Sequence, residues 1–365
     1  MRAAVLRGKE IVVGDVAEPE PGPGEVLVRT LACGICGSDL HAYHRARRGA
    51  AETPAAAPSG NTSPGLALEG EIVMGHEFCA EIADYGPATE RRLAAGQRVC
   101  SIPILLRASG PEFIGYSSRN PGGYGEFMRL TADHLIAVPN GLSTERAALT
   151  EPMSVGWHAV GKARLAPDDV PLVVGCGPVG LAIIAALKLK GAQPIVAADF
   201  SPGRRRLAAA MGADLVVDPA VQSPFASWRE LAQTGRPDPG PTLPGWLVGS
   251  GLKPAVIFEC VGARGVIDQL MSGAPQDARI VVVGLCQEHD TIFPMSGIGK
   301  ELEIIFSNSF HRHEFAETLS NIAEGRIDVD PLITGKVGLA GVERSFRDLE
   351  NPDAHAKILI EPWRG

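Results

Sequence analysis

Basic residues are in deficit in this chain. It carries 34 Lys and Arg against 42 Asp and Glu, a formal net charge of −8, with an isoelectric point near 5.6. That balance argues against nucleic acid or an anionic membrane surface as the main partner. A long uninterrupted apolar run is also missing. The most apolar window, residues 172–189, is broken near its start by Gly175, Gly177, Pro178 and Gly180, so it reads as a buried strand and helix and not as a membrane span. Residues 1–13 alternate like a strand and show no apolar core or cleavage site, so no signal peptide is expected. The seven cysteines are odd in number and scattered over 365 residues, which excludes a disulfide framework and suits reduced intracellular thiols or metal ligands. No internal repeat is present. What remains, 45% hydrophobic and 21% charged residues, is the composition of a soluble globular protein too long for one ordinary core.

Residues 172–199 organise the chain. Leu172, Val173 and Val174 read as a strand, Gly175 to Gly180 as a tight turn, 181–189 as a helix, and 195–198 as a second strand ending at Asp199. A G-x-G-x-x-G is informative in this context and weak outside it. Gly175 permits the turn, Gly177 lets backbone approach a pyrophosphate, and Gly180 lets the helix pack closely on the sheet. The helix start, Pro178 and Val179, then presents unpaired N–H groups to phosphates. Asp199 sits where a carboxylate accepts hydrogen bonds from a ribose 2′-OH and repels a 2′-phosphate, so NAD is expected over NADP. Arg204, placed with the cofactor-binding residues, and Arg205 and Arg206 pull the other way.

Before this stretch the signals are β: short apolar runs at 25–31 and 73–85 separated by Pro and Gly clusters, a strand-rich first domain. Inside it lie Cys33, Gly34, Ile35, Cys36, Gly37, Ser38, Asp39, Leu40 and His41, and further on Gly75, His76 and Glu77. Thiol, imidazole and carboxylate in one small domain are what a zinc site needs. Between them, residues 45–70 are rich in Ala, Pro, Gly and Ser and read as a long loop, either part of an active-site rim or a disordered surface insertion. Residues 105–123 read as irregular and contain no cysteine. Ser38 and Asp39 also suit the capping of a helix beginning after Gly37. Cys33, Cys79, Cys100, Cys176, Cys260 and Cys286 read as inert thiols, and His44, His134, His158, His289, His311, His313 and His355 have no motif around them.

From residue 171 short Val- and Ile-rich strands alternate with helices: strands at 172–174, 195–198, 215–217, 255–260, 279–283 and 303–306 imply a parallel sheet covered on both faces. Residues 225–233 and 314–324 read as helices, 236–244 as a Pro- and Gly-rich loop, and 356–360 as a strand returning to the first domain.

In this order the motifs resemble the medium-chain, zinc-dependent alcohol dehydrogenase superfamily over nearly the whole chain. The segment Thr150-Glu151-Pro152-Met153-Ser154-Val155-Gly156 is similar to the sorbitol and polyol dehydrogenase branch, which has Glu where liver-type enzymes have a zinc-binding Cys. The resemblance implies an α/β fold: a doubly wound parallel Rossmann sheet at 155–304, and a strand-rich GroES-like catalytic domain at 1–154 completed by 305–365. It implies that Cys36 and His76 bind catalytic zinc, that Glu151 binds the metal or holds its water, and that Glu77 swaps in as a ligand. Asp39 is placed to hydrogen-bond the outer nitrogen of His76. Ser38 and His41 match a proton relay running through the cofactor ribose. Lys357 falls where the family often has a basic residue near the pyrophosphate. Many relatives carry a second, structural zinc on closely spaced cysteines; with none at 105–123, one zinc per chain is expected. The gap from Cys36 to His76 is longer than the family's by roughly the loop at 45–70.

The expected function is hydride transfer between a secondary alcohol or polyol and NAD. Zinc with an open position stabilises the alkoxide-like oxygen that hydride removal requires. A reductase of aldehydes or ketones, or a silent NAD-binding regulatory protein, is the competing reading; the set Cys36, Ser38, His41, His76 and Glu151 argues against silence. By family resemblance the chain is expected to be a cytoplasmic homodimer or homotetramer.

Overall fold

The computed structural model describes residues 1–48, 70–107, 110–139, 141–235 and 251–365. It divides into two compact units, one formed by Met1–Glu151, Phe315–Gly325 and Leu332–Gly365, the other by Pro152–Glu314 and Arg326–Pro331.

The first unit is built on β3 (Glu25–Gly34), whose run of Val26, Leu27, Val28, Ala32 and Cys33 is buried on both faces. It pairs antiparallel with β4 (Glu77–Tyr85), β8 (Phe127–Thr131) and β17 (Lys357–Ile360). With β5 (Arg98–Ser101), β9 (Leu135–Ala137) and β16 (Ile333–Val337), the main sheet runs β16-β17-β3-β4-β5-β9, and β8 lies against β3. β1 (Arg2–Arg7) and β2 (Glu10–Asp15) form a separate antiparallel ribbon. Val5, Val26, Val28 and Ile82 fill the core, where Tyr43 and Tyr124 meet Phe346 edge-on at 5.3 and 6.2 Å.

Two stretches differ from the sequence reading. Helix α1 (Gly37–Arg48) covers residues 45–48, where a loop was expected, and residues 49–69 of that loop lie outside the described residues. Its start is held by Asp39, which accepts the Cys36 N–H at 3.0 Å, and Arg47 reaches back one turn to the Tyr43 hydroxyl. Part of the stretch expected to be irregular is a hairpin, β6 (Ile104–Arg107) with β7 (Gly110–Phe113), tied to β8 by the Leu106 N–H on Thr131 Oγ1. Further on, Ser143 caps α2 (Thr144–Ala148), followed by α3 (Thr150–Lys162), which carries Glu151 in its first turn.

The second unit holds six parallel strands: β10 (Val170–Val174), β11 (Val196–Ala198), β12 (Leu215–Val217), β13 (Ala255–Glu259), β14 (Arg279–Val282) and β15 (Glu303–Phe306). Their order is β12-β11-β10-β13-β14-β15, so the winding reverses between β10 and β13, where such sheets bind their ligands. Helix α4 (Pro178–Leu189) is buried from Gly180 through Leu187, which explains why it is apolar all round. Helices α5 (Pro202–Met211) and α6 (Pro224–Leu231) follow; Trp228 on α6 is buried and donates to the Val170 carbonyl. This unit runs on to Glu314, past the boundary expected at 304, because β15 is its sixth strand. The expected loop at 236–244 lies outside the described residues. No helix among the described residues is long and apolar enough to cross a membrane.

Candidate catalytic and dinucleotide sites

Cys36 occupies the turn between β3 and α1, and His76 and Glu77 stand at the start of β4, which is paired to β3. The strand pairing therefore gathers side chains 40 positions apart. Ligand atoms of Cys36, His76 and Glu77 all lie within 4.8 Å of one another. Glu151, half-buried on α3, falls outside that group. Burial raises its carboxyl to about 7, with His76 opposing and Glu77 adding to the shift.

Asp39 is fully buried, accepts from Tyr124 Oη at 2.7 Å and from the Cys36 N–H, and sets its other oxygen 3.4 Å from His76 Nδ1. Burial opposes its charge, yet His76, Tyr124 and the Cys36 amide together hold its carboxyl below the ordinary value. Burial acts to lower the His76 pKa, but Tyr116, Asp39 and Cys36 raise it further, so the environment favours positive charge there. Among the described residues, Asp39 Oδ1 and His76 Nδ1 have no other hydrogen-bonding partner. That geometry directs Nδ1–H at the carboxylate and leaves the Nε2 lone pair for a metal. A thiolate, an imidazole and a carboxylate beside a cation-favouring imidazole fit zinc.

Lys357 corrects the sequence reading. It is 1% exposed, and its ammonium donates to both Glu77 oxygens at 2.7 Å and to the Ile35 carbonyl at 2.9 Å. All three N–H groups are used, so none is left for a pyrophosphate. The register explains the pairing: Gly34 on β3 stands opposite Glu77 on β4 and Leu359 on β17, and Lys357 shares a face with Leu359. Gly34 makes the meeting possible, since a Cβ there would fall 2.2 Å from Glu77 Oε2. Burial alone would lower the lysine pKa, but Glu77 raises it, so the ammonium stays charged. Each Glu77 oxygen keeps a second lone pair.

Ser38 and His41 lie on α1, three residues apart and so on one face; Ser38 is half-buried and His41 exposed. Ser38 Oγ meets a partner the sequence reading missed, Tyr116 Oη, at 2.7 Å. The Tyr116 ring tilts by 34° over His76 with centroids 5.2 Å apart. Burial pushes its phenol far above the ordinary value, so it remains protonated. A lone tyrosine in an aperiodic stretch carries no pattern that sequence reading can use. Cys33 is a packing thiol, its Sγ seated close to Gly75 and Gly123, and burial keeps it protonated.

In the second unit the glycine turn has the form expected of it. Gly175 has φ +94°, and a Cβ on Gly180 would fall 1.9 Å from the Gly175 carbonyl. At Gly177 a Cβ would meet nothing nearer than Arg204 Cζ at 4.0 Å, so the backbone is open to a ligand there. Gly177 caps α4, Pro178 is its first residue, and Val179 lies in its first turn, half-buried. Asp199 ends β11 and accepts from the N–H groups of Cys176 at 2.7 Å and Ser201 at 2.8 Å, which ties the acid to the glycine turn. Arg204 stands 4.0 Å from it. Arg205 is occupied with backbone carbonyls and Asp218, and Arg206 is exposed.

A second group, His158, His311 and Glu314, also comes together in this unit. His158 Nδ1 lies 2.8 Å from Glu314 Oε2, and the same oxygen accepts the His311 N–H at 2.7 Å ahead of helix Arg312–Ala323. That is a carboxylate capping a helix start and anchoring a histidine, which accounts for the group without a metal.

Comparison with known proteins agrees with this division of labour. Residues 22–140 match the model of the alcohol dehydrogenase GroES-like domain, and residues 178–324 that of the zinc-binding dehydrogenase. The chain is 30% identical to (R,R)-butanediol dehydrogenase of Bacillus subtilis over 97% of both chains, and 29% identical to sorbitol dehydrogenase of Bos taurus over 94% of this chain and 90% of that one. The crystal structure of 2R,3R-butanediol dehydrogenase from Bacillus subtilis superposes with a TM-score of 0.77 at 29% identity, covering 99% of each chain. With a zinc-type donor set on a GroES-like unit and a glycine turn on a six-stranded parallel sheet, the chain belongs to the zinc-dependent medium-chain alcohol dehydrogenase family, in the company of its sorbitol and butanediol dehydrogenases.

Proposed function

We propose that this chain oxidises a secondary alcohol or polyol, with zinc and NAD as its resident partners and one zinc per chain. The observation that carries the reading is the convergence of Cys36, His76 and Glu77 within 4.8 Å, with Ser38 two residues after Cys36 in the first turn of α1. Cys36 and His76 would hold zinc, joined by Glu77 or by Glu151 through water; the metal would supply the Lewis acid that makes an alcohol acidic at neutral pH. Ser38 takes the alcohol's proton, and His41, exposed on the same helix face, passes a proton to solvent. Asp39 orients His76, and Lys357 compensates the charge of Glu77 when that carboxylate is off the metal.

Gly175, Gly177 and Gly180, with Pro178 and Val179 at the helix start, suit a pyrophosphate. Asp199 suits a ribose 2′-OH and supports NAD over NADP, while Arg204 remains near enough to moderate that preference. We place the enzyme in the cytoplasm as a homodimer or homotetramer. Elemental analysis together with NADH formation on secondary alcohols and polyols, before and after chelation, tests the reading. About one zinc per chain and chelator-sensitive turnover are expected; full turnover after complete metal removal would overturn it.

A further inference from the structure

Glu259, at the C-terminal end of β13, is a carboxylate with 1% of its surface exposed and no task in the function proposed above. Among the described residues no cation pairs with it. Its Oε1 accepts the N–H groups of Val261 at 2.7 Å and Gly262 at 2.8 Å, and its backbone carbonyl accepts those of Val283 at 2.9 Å and Gly284 at 3.0 Å. One residue thus fastens the loops that follow β13 and β14. Burying a carboxylate is unfavourable, and a neutral side chain could pin a turn with less desolvation, so the charge calls for a reason. Hydrogen bonds to an ionised acceptor are roughly twice as strong as neutral ones, so these loops are held firmly.

The loops meet backbone to backbone. Gly262 has φ +66°, and a Cβ there would fall 2.6 Å from the Leu285 nitrogen; one on Gly284 would fall 2.2 Å from the Gly262 nitrogen and 2.5 Å from Glu259 Oε2. The glycine turn joins them, since the Cys260 N–H donates to the Val174 carbonyl and a Cβ on Gly175 would fall 2.9 Å from the Cys260 carbonyl carbon. This tight assembly nevertheless carries uncovered apolar side chains: Val261 is 48% exposed and Leu285 54%. Fastened backbone bearing open aliphatic groups makes a preorganised seat for a flat ring.

We infer, on the reading of the chain as an NAD enzyme, that Glu259 is a positioning residue for the nicotinamide half of the cofactor. It acts through the loops at 260–262 and 283–285 and touches no reacting atom. The strand order sets which half is concerned. With the adenosine ribose on Asp199 at the end of β11 and the pyrophosphate on the turn after β10, the rest of an extended dinucleotide crosses the winding reversal onto the ends of β13 and β14. Without the carboxylate, the Val261 and Gly262 N–H groups lose their acceptor, and the arriving ligand must order the loop itself. That penalty falls on the nicotinamide half alone. The adenosine half, seated on β10 and β11, keeps its affinity.

The test measures dissociation constants for NADH, by its fluorescence, and for ADP, by calorimetry, on the zinc-loaded parent, Glu259→Gln and Glu259→Met. ADP carries the adenosine and the pyrophosphate and lacks the nicotinamide riboside. In Glu259→Met, NADH should bind about 10-fold more weakly while ADP holds within about 2-fold, the loss being that of hydrogen bonds to a charged acceptor. Glu259→Gln keeps an acceptor of the same shape without the charge, so NADH should bind about 3-fold more weakly and ADP as in the parent. A gradation confined to NADH is what general damage to the fold would not give. Equal losses for NADH and ADP, or NADH binding unchanged in both variants, overturn the assignment. Should Glu259→Met not fold, the comparison of NADH with ADP in Glu259→Gln decides alone. A parent that binds neither nucleotide overturns the NAD reading and this inference with it; a parent that binds both, with variants that match it, overturns this inference only.

Discussion

Replacing Lys357 with Met keeps the aliphatic stem and removes the ammonium. Glu77, itself 1% exposed, is then left inside the first unit without the partner that touches both its oxygens. Removing one member of a buried ion pair costs about 3–5 kcal/mol, because the remaining charge has neither water nor partner. For a unit of this size each kcal/mol moves the melting midpoint by about 2–4 °C, so Lys357→Met should melt roughly 6–20 °C below the parent. The compensating change is Glu77→Gln. In the metal-free protein the double variant should regain a large part of the loss, since a neutral amide does not carry the buried charge. Adding zinc to the single variant separates two roles for Glu77. Recovery of the midpoint means that the metal takes up the carboxylate, and its absence means that Glu77 stays off the ion. Differential scanning calorimetry of the metal-free proteins is the assay. A single variant that melts with the parent would refute the argument, because the pair could not then be desolvated.

Cys36→Ala and His76→Ala should each lower bound zinc to a small fraction of one per chain and abolish turnover, as read by elemental analysis and NADH absorbance. Asp199→Gly should weaken NAD and narrow its advantage over NADP; an unchanged preference would remove Asp199 from the ribose assignment. Gly180→Ala places a Cβ 1.9 Å from the Gly175 carbonyl, so it should lower NAD affinity more than 10-fold or prevent folding, and a normal NAD dissociation constant would refute the contact. Burial pushes the Cys176 thiol up to about 12, so at pH 8 only about one molecule in ten thousand carries the thiolate, and reactivity should rise only as the pH nears that value. Iodoacetamide followed by peptide mapping should leave Cys176 unmodified at pH 8.

Legibility in the sequence followed the range of the interactions. The dinucleotide turn was readable because Gly175 to Asp199 is one continuous supersecondary unit whose residues act on their neighbours. Cys36, His76 and Glu77 were readable as short motifs, although what joins them is the pairing of β3 with β4. Lys357 was misassigned because its partner is 280 residues away and is reached only through the register of β17 on β3. The first helix was cut short in the reading because Ala and Arg at 46–48 merge in composition with the low-complexity stretch that follows. Tyr116 is invisible in the sequence because the stretch around it carries no period, while its meaning comes from Ser38 in space. The hairpin of β6 and β7 was missed because its strands are four residues each, too short for alternation to register.

The route of β17 has a consequence for biosynthesis. The counter-charge for an acid at position 77 arrives on a strand at 357–360, beside the very strand that precedes Cys36. A nascent chain emerging from the ribosome has Cys36, His76 and Glu77 in hand long before Lys357 is translated. Until then Glu77 lacks its ammonium, and the Cys33–Gly34 end of β3, beyond the stretch that β8 pairs, is open to wrong partners. A zinc ion captured early would meet a half-built pocket, and a message truncated a few codons short of 357 would yield a protein with every metal ligand present and no means of closing around them.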